Sequence, residues 1–315
     1  MGRGPRLRAA ARRVGAGAEP ATSERDVERT LERIAAWLGR DVDEVVRRAL
    51  LGIGAETPRE DRALAALMAA SWRERPASRV GLGGGQGAGK STLAHAIRAA
   101  CDAVGLRVAV LSLDDYYVTR AERGRLARTV HPLFETRGPP GTHDIARCRE
   151  AMAALLGPRR VDVPVFNKGL DDRVGTHRLE GPFDVVLLEG WCVGAPCAGD
   201  EDLDRPINRL EREEDADGIW RRAVERALDR DYQPAWDELE ALVFLRVPGL
   251  DAVRRWRLEQ ESARPASQRL DATAVARFVA HFERITLRML ERLPGKADLT
   301  IALAPDHSIA GCTVV

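Results

Sequence analysis

The sequence predicts an α/β fold in which a mainly parallel sheet carries helices on both faces, with a helical extension in front. Three observations support this expectation. From Arg79 onward, short apolar runs alternate with helical stretches, the pattern of strands joined by crossover helices. The first of these runs leads into a glycine-rich turn that opens a helix. Ahead of Arg79, apolar residues recur at helical spacing.

The elements follow in order. The first twenty residues set Arg3, Arg6, Arg8, Arg12 and Arg13 against a single acid, Glu19. Arg-rich, acid-poor segments can serve as transit peptides, but residues 1–20 read as a disordered basic tail or a mis-assigned start. Residues 21–77 read as the helical extension. Val27, Leu31, Ile34 and Leu38 fall on one helical face. Thr57-Pro58-Arg59-Glu60 has the form of a capping box with proline at the first helical position, ahead of Leu64, Leu67, Met68 and Trp72. These helices carry no evident chemistry and are expected to pack against a main domain of residues 78–315. Within that domain Val80–Gly83, Val108–Leu113, Val161–Val165, Val185–Leu188, Leu242–Val247 and Leu299–Ala302 are the strand candidates. Asp200–Asp217, rich in acids and arginines, reads as a solvated excursion from the sheet. Ligands of such sheets bind beyond the carboxyl ends of the strands.

Composition bounds the partners. A chain of 315 residues with 44% hydrophobic content can bury a substantial core. Charged residues make up 31%, yet the formal net charge is only +1, so no nucleic-acid partner is expected. No apolar run approaches bilayer length, so no membrane partner is expected and the chain reads as soluble. Five dispersed cysteines read as reduced thiols of a cytoplasmic protein rather than as a disulfide framework or a zinc site.

The chemistry begins at Gly84-Gly85-Gln86-Gly87-Ala88-Gly89-Lys90-Ser91, which matches G-x-x-x-x-G-K-S in full. Its glycines let backbone amides turn inward around a polyphosphate, and the following helix presents its positive end to the same anion. Lys90 is placed to reach the terminal phosphates and Ser91 to occupy one position on Mg²⁺. The loop therefore predicts a P-loop NTPase-type sheet that binds ATP and Mg²⁺.

Asp114 and Asp115 follow the second strand candidate, where a carboxylate can accept a proton from an attacking hydroxyl and help hold Mg²⁺. Acids in this position also cap helices, and the neighbouring loop tips the balance toward function. Glu189 ends the apolar run Asp184–Leu188 and suits a second Mg²⁺-organising position. Arg137 and His143 sit in a Gly/Pro-rich loop, and Lys168 lies just beyond Val163–Val165. These three can bind an anionic acceptor, or they can be ordinary turn and surface residues. Arg254-Arg255-Trp256-Arg257 falls on a helix that Asp251 is expected to cap. It can supply arginines over a transferred phosphoryl group.

With these residues placed, the chain from about Arg79 to His307 resembles the D-glycerate 3-kinase family, relatives of uridine kinase, phosphoribulokinase and pantothenate kinase. The markers are Gly89-Lys90-Ser91-Thr92, Ser112-Leu113-Asp114-Asp115-Tyr116-Tyr117, Arg137-Gly138, Gly141-Thr142-His143-Asp144, Val163-Pro164 with Lys168, Leu188-Glu189-Gly190-Trp191, Ala235-Trp236-Asp237 and Arg255-Trp256-Arg257-Leu258. The resemblance implies transfer of the γ-phosphoryl of Mg·ATP to a small-molecule hydroxyl, with D-glycerate the leading acceptor. Asp114 matches the catalytic base, and Arg255 and Arg257 match the lid. Asp115, Tyr117, Arg137, His143 and Lys168 fall at the acceptor. The chain departs from the family at Phe166-Asn167-Lys168, where Tyr-Asp-Lys is usual, and at Glu225, where asparagine is frequent. Another acceptor (pantothenate, a nucleoside or a natural-product intermediate) and a nucleotide-dependent ATPase switch are the alternatives.

Overall fold

A computed structural model of the chain describes residues 24–199, 203–262 and 269–315. The basic tail expected over residues 1–20 lies outside them. Three helices come first: α1 (Glu24–Trp37), α2 (Glu44–Leu51) and α3 (Arg59–Glu74). Leu31 and Ile34 of α1 are fully buried, as their spacing predicts. Asp43 caps α2 by accepting from the Val46 amide at 2.9 Å. In α3 the run Ala63–Ala70 is buried throughout, so this helix is covered on nearly every side. The expected capping box does not form. Pro58 is itself the cap residue of α3, without a side-chain hydrogen bond. The Glu60 carboxylate is drawn instead to Arg33 and to the Ile309 amide.

The main sheet has the order β2-β5-β1-β6-β7-β8. Its strands are β1 (Arg79–Gly84), β2 (Val108–Ser112), β5 (Val185–Gly190), β6 (Ala241–Arg246), β7 (Leu299–Leu303) and β8 (Ile309–Val314). The first five in spatial order are parallel and β8 is antiparallel. Side chains alternate across a strand, and β5 shows the result. Val185 and Leu187 join the core shared with α1–α3 and α4 (Lys90–Ala103), while Val186 and Leu188 join the core on the other face. The front helices thus complete one of the two apolar layers over the sheet.

Between β2 and β5 lie α5 (Arg120–Thr129), α6 (Ile145–Leu155) and a hairpin of β3 (Arg160–Asn167) and β4 (Asp172–Glu180). The run Val161–Val165 is therefore a strand, but of a separate two-stranded sheet. Its exposed Arg160, Asp162 and Asn167 and its proline could not be satisfied inside a parallel sheet buried on both faces.

After β5 come α7 (Arg209–Glu214), α8 (Ile219–Ala227) and α9 (Gln233–Trp236). Beyond β6 come α10 (Leu250–Ser262) and α11 (Ala272–Arg292). Asp251 lies in the first turn of α10, paired with Arg254, so it is part of that helix rather than ahead of it.

The described part of Asp200–Asp217 is solvated only in part. Glu211 and Asp215 are each 1% exposed. Glu211 receives Arg284 Nε at 2.9 Å and Nη2 at 2.7 Å. Asp215 receives Arg221 Nη1 at 3.0 Å and the Trp220 amide at 2.7 Å. The acids are tolerated inside because each meets a guanidinium with two-point geometry or adds amide donors.

Removing one partner of such a pair strands the other. Arg284→Leu should cost about 3–5 kcal/mol in urea unfolding, and adding Glu211→Leu should restore most of it. A single-variant loss under about 1 kcal/mol would mean that the pair is hydrated in solution.

Candidate active site

The site is assembled at the carboxyl ends of β1, β5 and β2. The chain leaves β1 through the loop 85–89 and enters α4 at Lys90. Gly87 and Gly89 take φ of 78° and 82°, the left-handed region that favours glycine. A Cβ on Gly87 would stand 2.9 Å from the Trp256 Cβ, because α10 lies against the loop there. Lys90 folds back over the loop, and its Nζ donates to the carbonyls of Gly84 and Gly85 at 2.9 Å each. Burial lowers the pKa of this ammonium, against the opposing pull of Glu189 and Asp114.

Glu189 lies beside Leu82 of β1 and Ser112 of β2 in the sheet register. Its Oε1 accepts from Ser91 Oγ at 2.9 Å and Ser112 Oγ at 2.8 Å. One buried carboxylate therefore ties the start of α4 to the ends of two strands. Ser91 and Glu189 together offer hard oxygen donors at the head of the glycine-rich loop, a set that suits Mg²⁺.

Asp114 sits in the turn Leu113–Tyr116 after β2. Its Oδ1 accepts from the Tyr117 hydroxyl at 2.8 Å, and its Oδ2 faces Lys168 Nζ at 2.7 Å. Burial pushes the Asp114 pKa up, but Lys168 and the Tyr117 hydroxyl outweigh it and hold the group below the usual carboxylate range. Lys168 reaches Asp114 from the tip of the β3–β4 hairpin. Asn167 shapes that tip by accepting from the Gly169 and Leu170 amides at 2.9 and 3.0 Å.

A cavity of about 930 Å³ brings together residues 86–92, Asp114, Tyr117, Arg137, Lys168, Glu189 and Arg257. A second cavity of about 450 Å³ shares Arg137, Lys168 and Arg257 with it. Arg137 is held by Asp171, which also receives the buried Arg123 at 2.6 Å. Gly138 keeps this loop against α11, since a Cβ there would meet the Phe282 ring at 2.3 Å.

Three expected site residues stand elsewhere. Asp115 turns away and accepts from the Phe166 amide at 3.0 Å, pinning β3. His143 is buried behind Tyr117, stacked on it at 4.5 Å with its Nδ1 2.7 Å from the Tyr232 hydroxyl. Burial lowers its pKa to about 4, so it brings no cation to an anionic acceptor at neutral pH. Arg255 points to the Pro305 carbonyl at 2.6 Å, leaving Arg257 as the member of the pair that faces the cavity. Glu225, the other departure noted in the sequence, pairs with Arg288 at 2.9 Å.

Sequence reasoning missed two contributions. Ser112 holds Glu189, and a hydroxyl closing an apolar strand just before an acidic turn was the available signal. The front helices, read as free of chemistry, place Glu60 and Asp61 on the cavity wall. Nothing in their periodicity marked that.

Known proteins resemble this chain in sequence and in fold. A family model described as "Methylmalonyl Co-A mutase-associated GTPase MeaB" matches residues 46–119. The chain is 32% identical over 240 residues to "Uncharacterized kinase mug58" of Schizosaccharomyces pombe, covering 70% of this chain and 83% of that one. It is 30% identical over 199 residues to "D-glycerate 3-kinase, chloroplastic" of Arabidopsis thaliana, covering 58% of this chain and 41% of that protein. A solved D-glycerate 3-kinase from Cryptococcus neoformans superposes with a TM-score of 0.66 at 22% identity, covering 87% of this chain and 100% of that one. At that identity the superposition speaks to the fold.

The Asp114–Lys168 contact yields a pH prediction. The ion pair holds the Asp114 pKa down, so Lys168→Met should let burial raise it and move its titration to higher pH. Carboxyl NMR across the acid range would show the move, and an unchanged titration would mean that Lys168 does not engage Asp114 in solution.

Proposed function

Because the chain belongs to the P-loop kinase superfamily that includes D-glycerate 3-kinase, uridine kinase and phosphoribulokinase, we propose that it transfers the γ-phosphoryl of ATP to a hydroxyl of D-glycerate, giving 3-phosphoglycerate. This reading rests on one observation above the others. A phosphate-binding loop, a buried Glu189 and an ionised Asp114 share a cavity with Arg137 and Lys168, on the side where an acceptor would lie. Glycerate is an anion approaching a polyphosphate, so its site needs cations in a way that a nucleoside site does not.

The loop amides and Lys90 hold the phosphates, with Lys90 moving from the Gly84 and Gly85 carbonyls to the bound anion. Ser91 and Glu189, with Asp114 close by, would hold Mg²⁺, whose charge screens the phosphate oxygens. Arg137 and Lys168 bind the acceptor carboxylate and so fix which hydroxyl faces the phosphorus. Asp114 takes the hydroxyl proton as the new P–O bond forms and the bond to ADP breaks. Arg257 lies where it can neutralise charge on the transferred group. Tyr117 orients Asp114 through its hydroxyl, and Asp115 and His143 act indirectly by fixing the hairpin and the Tyr117 ring. The match to a GTPase model over residues 46–119 favours one rival, a nucleotide switch. A switch would hydrolyse nucleotide without an acceptor.

ADP release should therefore depend on D-glycerate and remain near background without it or with uridine. Acceptor-independent hydrolysis, or robust use of uridine with none of D-glycerate, would overturn the reading. Asp114→Asn should lower kcat by about a hundredfold or more while the ATP KM stays near wild type. A loss under about tenfold would move the proton acceptor elsewhere.

A further inference from the structure

Asp114 is fixed by more than its own turn. Its Oδ1 accepts from the Tyr117 hydroxyl at 2.8 Å, so the rotation of the carboxylate follows the Tyr117 ring. That ring is packed by the His143 imidazole, stacked on it at 4.5 Å and 26°, and by Phe166, edge-on at 5.0 Å. The imidazole in turn places its Nδ1 2.7 Å from the hydroxyl of Tyr232, a residue 89 positions downstream. Neither His143 nor Tyr232 lines the cavity.

Tyr232 is fully buried and closes a π-helical turn, Leu228–Tyr232, between α8 and α9. Such widenings of a helix are rare and occur often at functional sites. The phenol oxygen accepts from the Gly141 amide at 3.0 Å, so the phenol hydrogen has His143 Nδ1 as its acceptor among the described residues. This fixes the imidazole as the tautomer protonated on Nε2 and sets its plane. Burial lowers the His143 pKa to about 4, so Nδ1 remains an acceptor at neutral pH. The backbone does not need this link. The Val118 amide donates to Thr142 at 2.9 Å and the Asp144 amide to Tyr116 at 2.8 Å, which joins the two segments without the phenol. The Arg137 loop likewise closes on Thr142, whose hydroxyl accepts from the Gly138 amide at 3.0 Å and donates to the Pro139 carbonyl at 2.8 Å. What the phenol adds is the setting of the imidazole.

We infer that Tyr232 is a positioning residue for phosphoryl transfer: through His143 it holds the Tyr117 ring, and through the Tyr117 hydroxyl it keeps Asp114 turned toward the acceptor hydroxyl. This rests on the reading of Asp114 as the proton acceptor. Misalignment of such a group slows the chemical step and leaves ground-state binding in place.

Tyr232→Phe keeps the ring and removes only the hydroxyl. It should lower kcat about five- to tenfold and leave the KM of ATP and of the acceptor within about twofold of wild type. His143→Asn keeps an oxygen for the phenol but removes the ring that packs on Tyr117, and it should show the same split. In a Tyr117→Phe background both losses should vanish, because a residue that acts through the Tyr117 hydroxyl then has nothing to act on. The chain has three tyrosines, so carbon-13 labelling at tyrosine Cζ gives a spectrum of few lines. The Tyr117 line, which reports the hydrogen bond of its hydroxyl, should move in Tyr232→Phe and in His143→Asn. Wild-type kcat in either variant, losses that add in full to that of Tyr117→Phe, or an unmoved Tyr117 line overturns the inference. So does a matching rise in both KM values, which would make Tyr232 a support of the fold alone. Full activity of Asp114→Asn would remove the proton-acceptor reading, whereas loss in Asp114→Asn with none in Tyr232→Phe would remove only the role of Tyr232.

Discussion

The hydrogen-bonded carboxylate of Glu189 is the constraint around which the site is organised. It closes β5, a strand buried on both faces, and its oxygen receives hydroxyls from Ser91 at the start of α4 and Ser112 at the end of β2. Both contacts require the sheet register that sets Glu189 beside Ser112 and β1. A one-residue slip of β5 would turn the carboxylate to the opposite face. The phosphate loop, the acidic turn after β2 and the strand between them therefore keep their mutual positions only while this register holds.

Arg137 and Lys168 reach the cavity on a second level of support. Arg137 reaches the cavity because Asp171 and the fully buried Arg123 fix its loop from behind, and because Gly138 lets that loop lie on Phe282. Lys168 arrives from a different element, the β3–β4 hairpin, which Asp115 anchors through the Phe166 amide. Burial depresses the Lys90 ammonium, while a neighbouring cation keeps Asp114 ionised. Both effects are what the proposed exchange of internal partners for a bound polyanion would need.

The glycine-rich loop was legible in the sequence because its spacing has few other uses, whereas Asp114 and Glu189 were placed at strand ends by position, since acids there also cap helices. The five parallel strands of the main sheet were legible as short, largely apolar runs, and β8 was not. Burial of Glu211 and Asp215 was not legible, since their partners Arg284 and Arg221 lie on other helices and charge alone suggests solvent. β4 was missed because an exposed hairpin strand needs no apolar face. His143 was misread as a cation because its surroundings, Tyr117 and Tyr232, are set by tertiary packing. Asp61 was invisible because no local pattern says which end of a helix will meet a cavity.

α11 shows how the surrounding chain is held. Arg284, Arg288 and Arg292 recur every fourth residue along it and donate to the carbonyls of Arg205, Pro196, Cys197 and Ala198. Carbonyls are the same whatever side chain the residue carries. Exposed positions of the segment after β5 can therefore vary without losing these contacts, whereas Arg284, whose Nε and Nη2 both engage Glu211, cannot be exchanged for lysine without losing its planar fork. Variation among related chains should then be high at the exposed positions of that segment and low along the arginine stripe of α11.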